Sequence, residues 1–407
     1  MALPDATYPT VLLRPGEADR VVAGHPWVYA GAVLRVTRPV ADGDPVQVKD
    51  HRQRFLGVGF YNSGSQLRVR LLSRVREPLD EAFFERRLRE AWAVRERHLP
   101  GATSMRLVNA ESDQLSGLIV DRYGDVLVMQ TSSLGMDRRK KMIAGLLGRI
   151  FSPRAILERN DSAGRRFEGL PESQGWLAGK TEGDVAVELN GVRFQVDLLS
   201  GHKTGLYLDQ QVNYARVAEL IARMPGAQVL DAFSFIGGFG LHAARAGAGH
   251  VHFVDQSEEA LAGAKRHAEL NGVAARCSFE TANVFDWFKG RTQRGPHEQL
   301  VPPFDAVVLD PPSFTRSRAA VLDALRGYKE IHLRALKLLK PGGLLATFCC
   351  SHHVDAVTFQ DVILAAAADA HRLLRRVASF QQSPDHPVLP AIPETEYLKG
   401  YAFEVVG

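Results

Sequence analysis

The sequence predicts an α/β protein: a C-terminal parallel sheet with helices on both faces, preceded by a small β-barrel and a central α+β region. Three observations carry this reading. At 407 residues the chain is too long for one hydrophobic core and should divide into two or three domains. Short strand-like runs crowd the first 75 residues, and after Gly201 strands and helices alternate regularly.

Between residues 10 and 75 the runs VLLR, WVYAGAVLRV, DPVQVKD, FLGVGFYN and QLRVRLLS read as strands. Gly16, Gly24, Gly43, Gly57 and Gly64 punctuate them, as turns in a small barrel require. Pro78 opens a different pattern: over residues 80–98, Phe83, Phe84, Leu88, Ala91 and Val94 recur at helical spacing among arginines. GLIVDRYGDVLVMQ then has strand character around a Tyr-Gly-Asp turn, residues 138–150 read as a helix, and VAVELNGVRFQVDLL is a hairpin turning at Asn190-Gly191. Beyond Gly201, strands are expected at 229–233, 250–255, 277–280, 304–310 and 343–350 with helices between them. The domains expected are residues 1–75, 76–185 and 186–407.

Composition narrows the setting. Hydrophobic residues make up 45% and charged residues 24%, ordinary for a globular protein. Three cysteines, two of them adjacent (Cys349 and Cys350), argue against a disulfide framework and for a reducing compartment. With no long apolar run and no secretion-like N-terminus, a cytoplasmic protein that does not engage the membrane is expected. The net charge is +4, but residues 1–76 hold 11 Lys and Arg against 6 Asp and Glu, so the basic excess is N-terminal. Such an excess suits nucleic-acid binding, and a solvated surface explains it equally well.

In a doubly wound sheet, ligands bind at the C-terminal strand ends. The first strand there reaches Asp231 and runs into DAFSFIGGFG, where Gly237, Gly238 and Gly240 permit a tight turn into a helix. Phe233 and Phe235 occupy positions where a dinucleotide fingerprint needs glycine, which disfavours a pyrophosphate and favours S-adenosyl-L-methionine. Helix–sheet packing is the plain alternative for the glycines. Asp255, ending the second strand, can accept from both hydroxyls of a ribose. Asn283 is placed to meet an adenine edge or to cap the following helix, and one residue can do both.

Asp310-Pro311-Pro312 follows the apolar run AVVL, so its carboxylate should emerge at the same sheet edge. Motifs of this type serve methylation of exocyclic amines, and alone they do not name the atom methylated. A reactive Cys350 would select carbon 5 of cytosine: thiolate addition at carbon 6 turns a poor carbon nucleophile into an enamine. Asp310 would then hydrogen-bond the N3 and amino group of the base. A buried core position is the preferred reading for Cys349, and the base that removes the carbon-5 proton is not evident.

HPWVYAGAV, ESDQLSGLIVDRYG, GHKTGLYLDQ, DAFSFIGGFG, DPPSF, RGYKEIH, TFCCS and the tail DHPVLPAIPETEYLKGYAF run in one order over essentially the whole chain. In these motifs the sequence resembles the bacterial 23S rRNA (cytosine-C5)-methyltransferases that carry an N-terminal PUA domain. The resemblance implies a Rossmann-like class I methyltransferase domain preceded by a small β-barrel PUA domain and a central α+β domain. It implies Cys350 as nucleophile, immediately before the serine of the TFCCS motif, with Asp310 beside it. It also implies S-adenosyl-L-methionine held by Tyr207 after the GHKTG turn and by Asp231, Phe233, Ser234, Asp255 and Asn283, and the placement of Gly237 and Asp310 at the strand ends adds them to the expected cofactor contacts. The expected partner is 23S rRNA or a large-subunit assembly intermediate, and a homodimer is left open. Two departures stand out: Asn283 replaces a usual Asp, and Ser313 a frequent Lys. The rival readings are an exocyclic-amine RNA methyltransferase using Asp310 and an RNA-binding protein with a degenerate methyltransferase domain.

Overall fold

The computed structural model describes residues 8–199, 206–293, 300, 303–315 and 317–406. It divides into two compact units. The first comprises Met1–Val187, Val196–Leu208 and Pro384–Glu396; the second comprises Glu188–Gln195, Asp209–Ser383 and Tyr397–Gly407.

In the first unit, six strands between Thr10–Leu13 and Leu67–Ser73 form one sheet whose apolar side chains, Val11, Leu13, Val28, Val46, Val48, Leu56, Val69 and Leu71, share a core. WVYAGAVLRV is not one strand. It forms Trp27–Tyr29 and Val33–Val36, split by a 3-10 turn at Ala30–Ala32, and the two strands lie at opposite ends of the sheet order. Small residues at 30–32 let the chain leave one partner and join another.

The helix Glu81–His98 follows, its N-terminus capped by the Asp80 carboxylate accepting from Phe83 N. It packs on a five-stranded sheet that includes the hairpin Leu118–Tyr123 and Val126–Thr131. The strands Ser104–Asn109, Ala155–Asn160 and Ser173–Ala178 complete that sheet, and the last two had no clear sequence signal. The tail segment docks into this unit through ion-assisted bonds: buried Arg95 pairs with Asp113 and donates to the Asp385 carbonyl at 2.8 Å, while the Asp385 carboxylate accepts from Arg106 N.

The second unit is built on one sheet of seven strands among the described residues. In chain order they are β1 (Gln228–Ala232), β2 (His250–Asp255), β3 (Cys277–Thr281), β4 (Phe304–Leu309), β5 (Leu339–Cys349), β6 (Leu374–Gln381) and β7 (Lys399–Val405). Their spatial order is β3-β2-β1-β4-β5-β7-β6, with β7 antiparallel to both neighbours and β1 through β5 paired in parallel. Central strands buried on both faces read as unbroken apolar runs, which is why VLDA and AVVL were legible.

Among the described residues, six α-helices flank the sheet: α1 (Gln211–Ala222), α2 (Gly238–Arg245), α3 (Glu258–Leu270), α4 (Val284–Thr292), α5 (Val321–Leu338) and α6 (Ala356–Asp369). Residue alternation along each strand sorts the contacts. Leu230, Ala232, Val307, Leu309 and Leu345 pack with Trp287, Tyr328, Ile331 and Phe359 of α4, α5 and α6. From α2, Phe239 instead stacks on Phe348 at 4.8 Å. The strand order reverses direction beside β1, between β1 and β4, where an open α/β sheet has its ligand crevice.

Candidate active site

The turn from β1 into α2 is built under strain. Phe233 and Phe235 hold φ of 63° and 48°, a region that residues with a Cβ rarely occupy. Gly237, at φ 90°, completes the turn, and its N–H donates to Ser234 O at 2.8 Å. Strain of this kind persists where the surroundings over-determine the backbone, and here carboxylates do so from two sides. Buried Asp231 accepts from Gly240 N at 2.7 Å, tying α2 to the end of β1. Asp255 accepts from Phe235 N and from Ser257 N, both at 2.9 Å, tying the turn to the end of β2.

The other two glycines serve packing. A Cβ on Gly238 would lie 2.6 Å from the Tyr214 ring, and one on Gly240 would lie 2.3 Å from the Phe253 ring. Helix–sheet contact, the plain alternative, therefore accounts for both of these, and Gly237 keeps the conformational role.

Burial raises the Asp231 pKa to about 8, with nearby Asp310 and Asp255 adding to the shift and the Gly240 N–H opposing it. Asp231 thus holds the turn from beneath. The Ser234 hydroxyl is buried and has no hydrogen-bond partner among the described residues, and a buried polar atom left so is costly unless something else satisfies it. An unsatisfied hydroxyl, a carboxylate at the end of β2 and a turn free of pyrophosphate-binding features fit S-adenosylmethionine.

Asn283 caps α4, its side-chain oxygen accepting from Phe285 N at 3.0 Å and Asp286 N at 3.4 Å. The cap therefore competes with any ligand contact made through this oxygen. The Nδ2 group remains as the donor. Phe233, Phe285 and Phe314 form an aromatic group with centroid separations of 6.3, 6.3 and 5.6 Å.

Asp310 emerges after β4, and Cys350 after β5; the two strands are parallel neighbours in register, with Leu309 paired to Thr347. Sequence reasoning missed what holds each. Asp310 accepts from Gln210 Nε2 at 3.1 Å. Gln210 in turn accepts from Asn213, which also donates to Gln381 O, so the amide orientation is fixed and both residues are buried. Only the position of Gln210 within the LDQ segment hinted at this.

A second chain joins the two loops. Ser313 Oγ lies 2.9 Å from Ser351 Oγ, and Ser351 Oγ lies 3.1 Å from the Tyr328 hydroxyl. Cys349 is buried and points its Sγ at Tyr328 Oη at 3.4 Å, whereas Cys350 is half-buried. Burial pushes the Tyr328 hydroxyl to a raised pKa, so it stays protonated. Half-buried Tyr207 falls in the first unit, and GHKTG, at 201–205, lies outside the described residues. Among the described residues no cluster could hold a metal ion, and no helix is long and apolar enough to cross a membrane.

Comparison with known proteins gives concordant findings. Residues 11–74 match the PUA-like domain, and residues 163–399 match the S-adenosylmethionine-dependent methyltransferase family. A Ribosomal RNA large subunit methyltransferase I from Klebsiella pneumoniae (strain 342) is 36% identical, over 99% of this chain and 100% of its own length. One from Vibrio parahaemolyticus is 39% identical over 97% and 99%. Among solved structures, a protein from Streptococcus mutans assigned as a SAM-dependent methyltransferase covers 97% of this chain and 100% of its own at TM-score 0.79 and 21% identity, a likeness of fold. Another, a crystal structure with SAH, reaches TM-score 0.81 at 20% identity, covering 97% and 100%. The chain is an α/β protein with an N-terminal PUA-like domain, and it belongs to the S-adenosylmethionine-dependent methyltransferases, in one family with the Ribosomal RNA large subunit methyltransferases I.

Proposed function

We propose that the protein methylates carbon 5 of a cytosine in large-subunit (23S) rRNA, free or in an assembly intermediate, through a covalent adduct between Cys350 and carbon 6 of the base. The observation that carries this reading is the pairing of the Asp310 and Cys350 loops: adjacent parallel strands deliver them, and the Ser313–Ser351 contact joins them. Burial of Cys349 in the core leaves Cys350 as the thiol available to a base. The names of the Klebsiella and Vibrio relatives support an rRNA substrate.

S-adenosylmethionine, when bound, supplies an electrophilic methyl group. The residues that would hold it are Asp255 on the ribose hydroxyls, Asn283 through Nδ2 on an adenine ring nitrogen, and Ser234, Phe233 and Gly237 of the turn. Asp231 supports that turn through Gly240, while Tyr207 and Asp310 complete the set proposed. The base must leave its stack, or already be unpaired, to reach the thiol.

The Cys350 thiolate donates an electron pair to carbon 6, and Asp310 shares a proton with N3, so that the ring's electrons collect at carbon 5. Once carbon 5 is methylated, loss of its proton restores the ring double bond and expels the thiolate. We also propose that residues 1–75, 76–185 and 186–407 act as RNA-binding, central and catalytic parts. The separate sheets within 10–73 and 104–178 support the first boundary.

RNA carrying 5-fluorocytosine tests the mechanism, since fluorine cannot leave carbon 5 as a proton does. Wild type should form a persistent protein–RNA adduct and Cys350→Ala none. Retained methylation by folded Cys350→Ala would instead favour amine methylation through Asp310.

A further inference from the structure

In the first unit, the 3-10 turn Ala163–Glu168 is pinned by two of its side chains. Arg165 is buried and donates to Asp137 at 3.0 Å, to Pro171 O at 3.0 Å and to Thr131 Oγ1 at 3.1 Å. Glu168, also buried, accepts from Ser65 at 2.8 Å, from Asn62 at 3.0 Å and from Arg70 at 3.1 Å. Side chains three residues apart eclipse in a 3-10 turn, so both anchors share one side and leave Arg166 and Phe167 to the other. Those two are exposed, Phe167 by 68%, and the Arg166 guanidinium lies 5.2 Å from the centre of the Phe167 ring.

On the reading of large-subunit rRNA as substrate, we propose that Arg166 and Phe167 form a stacking platform for an unpaired base of single-stranded RNA. An exposed apolar side chain alone needs no explanation. This one differs in its setting. The anchors on either side fix the backbone beneath it, so the ordering cost is met in folding and not in binding. A flat ring accepts the face of any base, and an arginine beside it adds a cation for the adjoining phosphate. Tyr29, exposed by 39%, has Arg20 over its ring at 5.3 Å, but Arg20 is paired with Glu394 at 2.7 Å. Arg166 meets no carboxylate among the described residues, so its charge is available to a phosphate.

The location suits the same partner. Through Glu168 the turn is joined to Asn62, Ser65 and Arg70, within the stretch that matches the PUA-like domain and carries the basic excess of the chain. Through Arg165 it is joined to Thr131, at the end of a central-sheet strand.

Fluorescence anisotropy with single-stranded oligoadenylate, with the oligoadenylate–oligouridylate duplex as control, tests the platform. Phe167→Ala should weaken binding of the single strand about tenfold, and Phe167→Tyr should bind as wild type does. The duplex, whose bases are already stacked, should not distinguish Phe167→Ala from wild type. Phe167→Ala should leave the salt dependence unchanged, because the ring neutralises no phosphate, whereas Arg166→Gln should flatten the plot of log affinity against log salt by about 0.7. The exposed position should leave Tm at the wild-type value. As a direct reading, the emission of Phe167→Trp should be quenched by oligoadenylate beyond the quenching of wild type. Wild-type affinity in Phe167→Ala, an equal loss on the duplex, or no added quenching in Phe167→Trp each overturns the proposal. Should Phe167→Ala bind RNA normally but dissociate a dimer in sedimentation, the ring belongs to a contact between two copies instead. Failure of the rRNA reading would appear differently, as wild type binding neither oligoadenylate nor an rRNA fragment.

Discussion

Asp231 places an ionisable group where ionisation is costly, and the sign of the consequence can be worked out. Its folded pKa of about 8 lies above the ordinary 3.8, so between those values the folded protein keeps a proton that the unfolded chain has released. Stability therefore falls as pH rises from about 4 to about 8, and changes little from this source outside that window. Asp231→Asn keeps an oxygen for Gly240 N and removes the titration. Its Tm should match wild type at about pH 4 and exceed it increasingly up to about pH 8, as thermal melts of the ligand-free protein across that range would read; parallel Tm curves would refute the assignment. The same carboxylate was singled out in the sequence as a cofactor contact. What the sequence could not convey was depth: nothing in DAFSFIGGFG distinguishes a carboxylate facing a ligand from one facing the first turn of a helix.

At the scale of elements, strands buried on both faces announced themselves by apolar runs, and β2 was legible to the residue. The strands β6 and β7 were not, because LRRVASFQ and KGYAFEV carry little periodic contrast and their pairing is antiparallel and non-local. That gap mattered for the site, since β7 brings Lys399 beside the Cys350 turn and Gln381 of β6 anchors the amides behind Asp310. Likewise Asn283 was legible both as a cap and as a ligand contact, but only the structure shows that the cap uses the side-chain oxygen. Asn283→Ala should lose the α4 cap, at about 1 kcal/mol of stability, along with affinity for S-adenosylmethionine. Asn283→Asp should keep the cap while exchanging the Nδ2 donor for an acceptor. Chemical denaturation and calorimetry together check this: equal stability of the Ala variant and wild type would remove the capping argument, and equal S-adenosylmethionine affinity in all three proteins would remove the adenine contact.

Across the whole molecule, charge is distributed in a way that no single site requires. The net charge is +4, while residues 1–76 alone carry 11 basic against 6 acidic residues, so the remainder is slightly acidic. Several basic side chains in this stretch are already committed: Arg70 to Glu111 and Glu168, Arg54 to Asp50, and Arg74 to backbone carbonyls. Arg14, Arg35 and Arg52 are exposed, and these are the side chains a phosphate backbone could reach without breaking internal pairs. If the PUA-like domain binds RNA through them, each phosphate they neutralise releases counterions and steepens the salt dependence of binding. Replacing all three with Ala should weaken binding to an rRNA fragment at low salt and flatten the plot of log affinity against log salt by about 0.7–0.9 for each phosphate no longer neutralised. Tm and S-adenosylmethionine binding should stay at wild-type values, because surface arginines outside paired networks contribute little to stability. An unchanged slope would reduce the N-terminal excess to a solvated surface and move the search for the RNA-binding face to other parts of the chain.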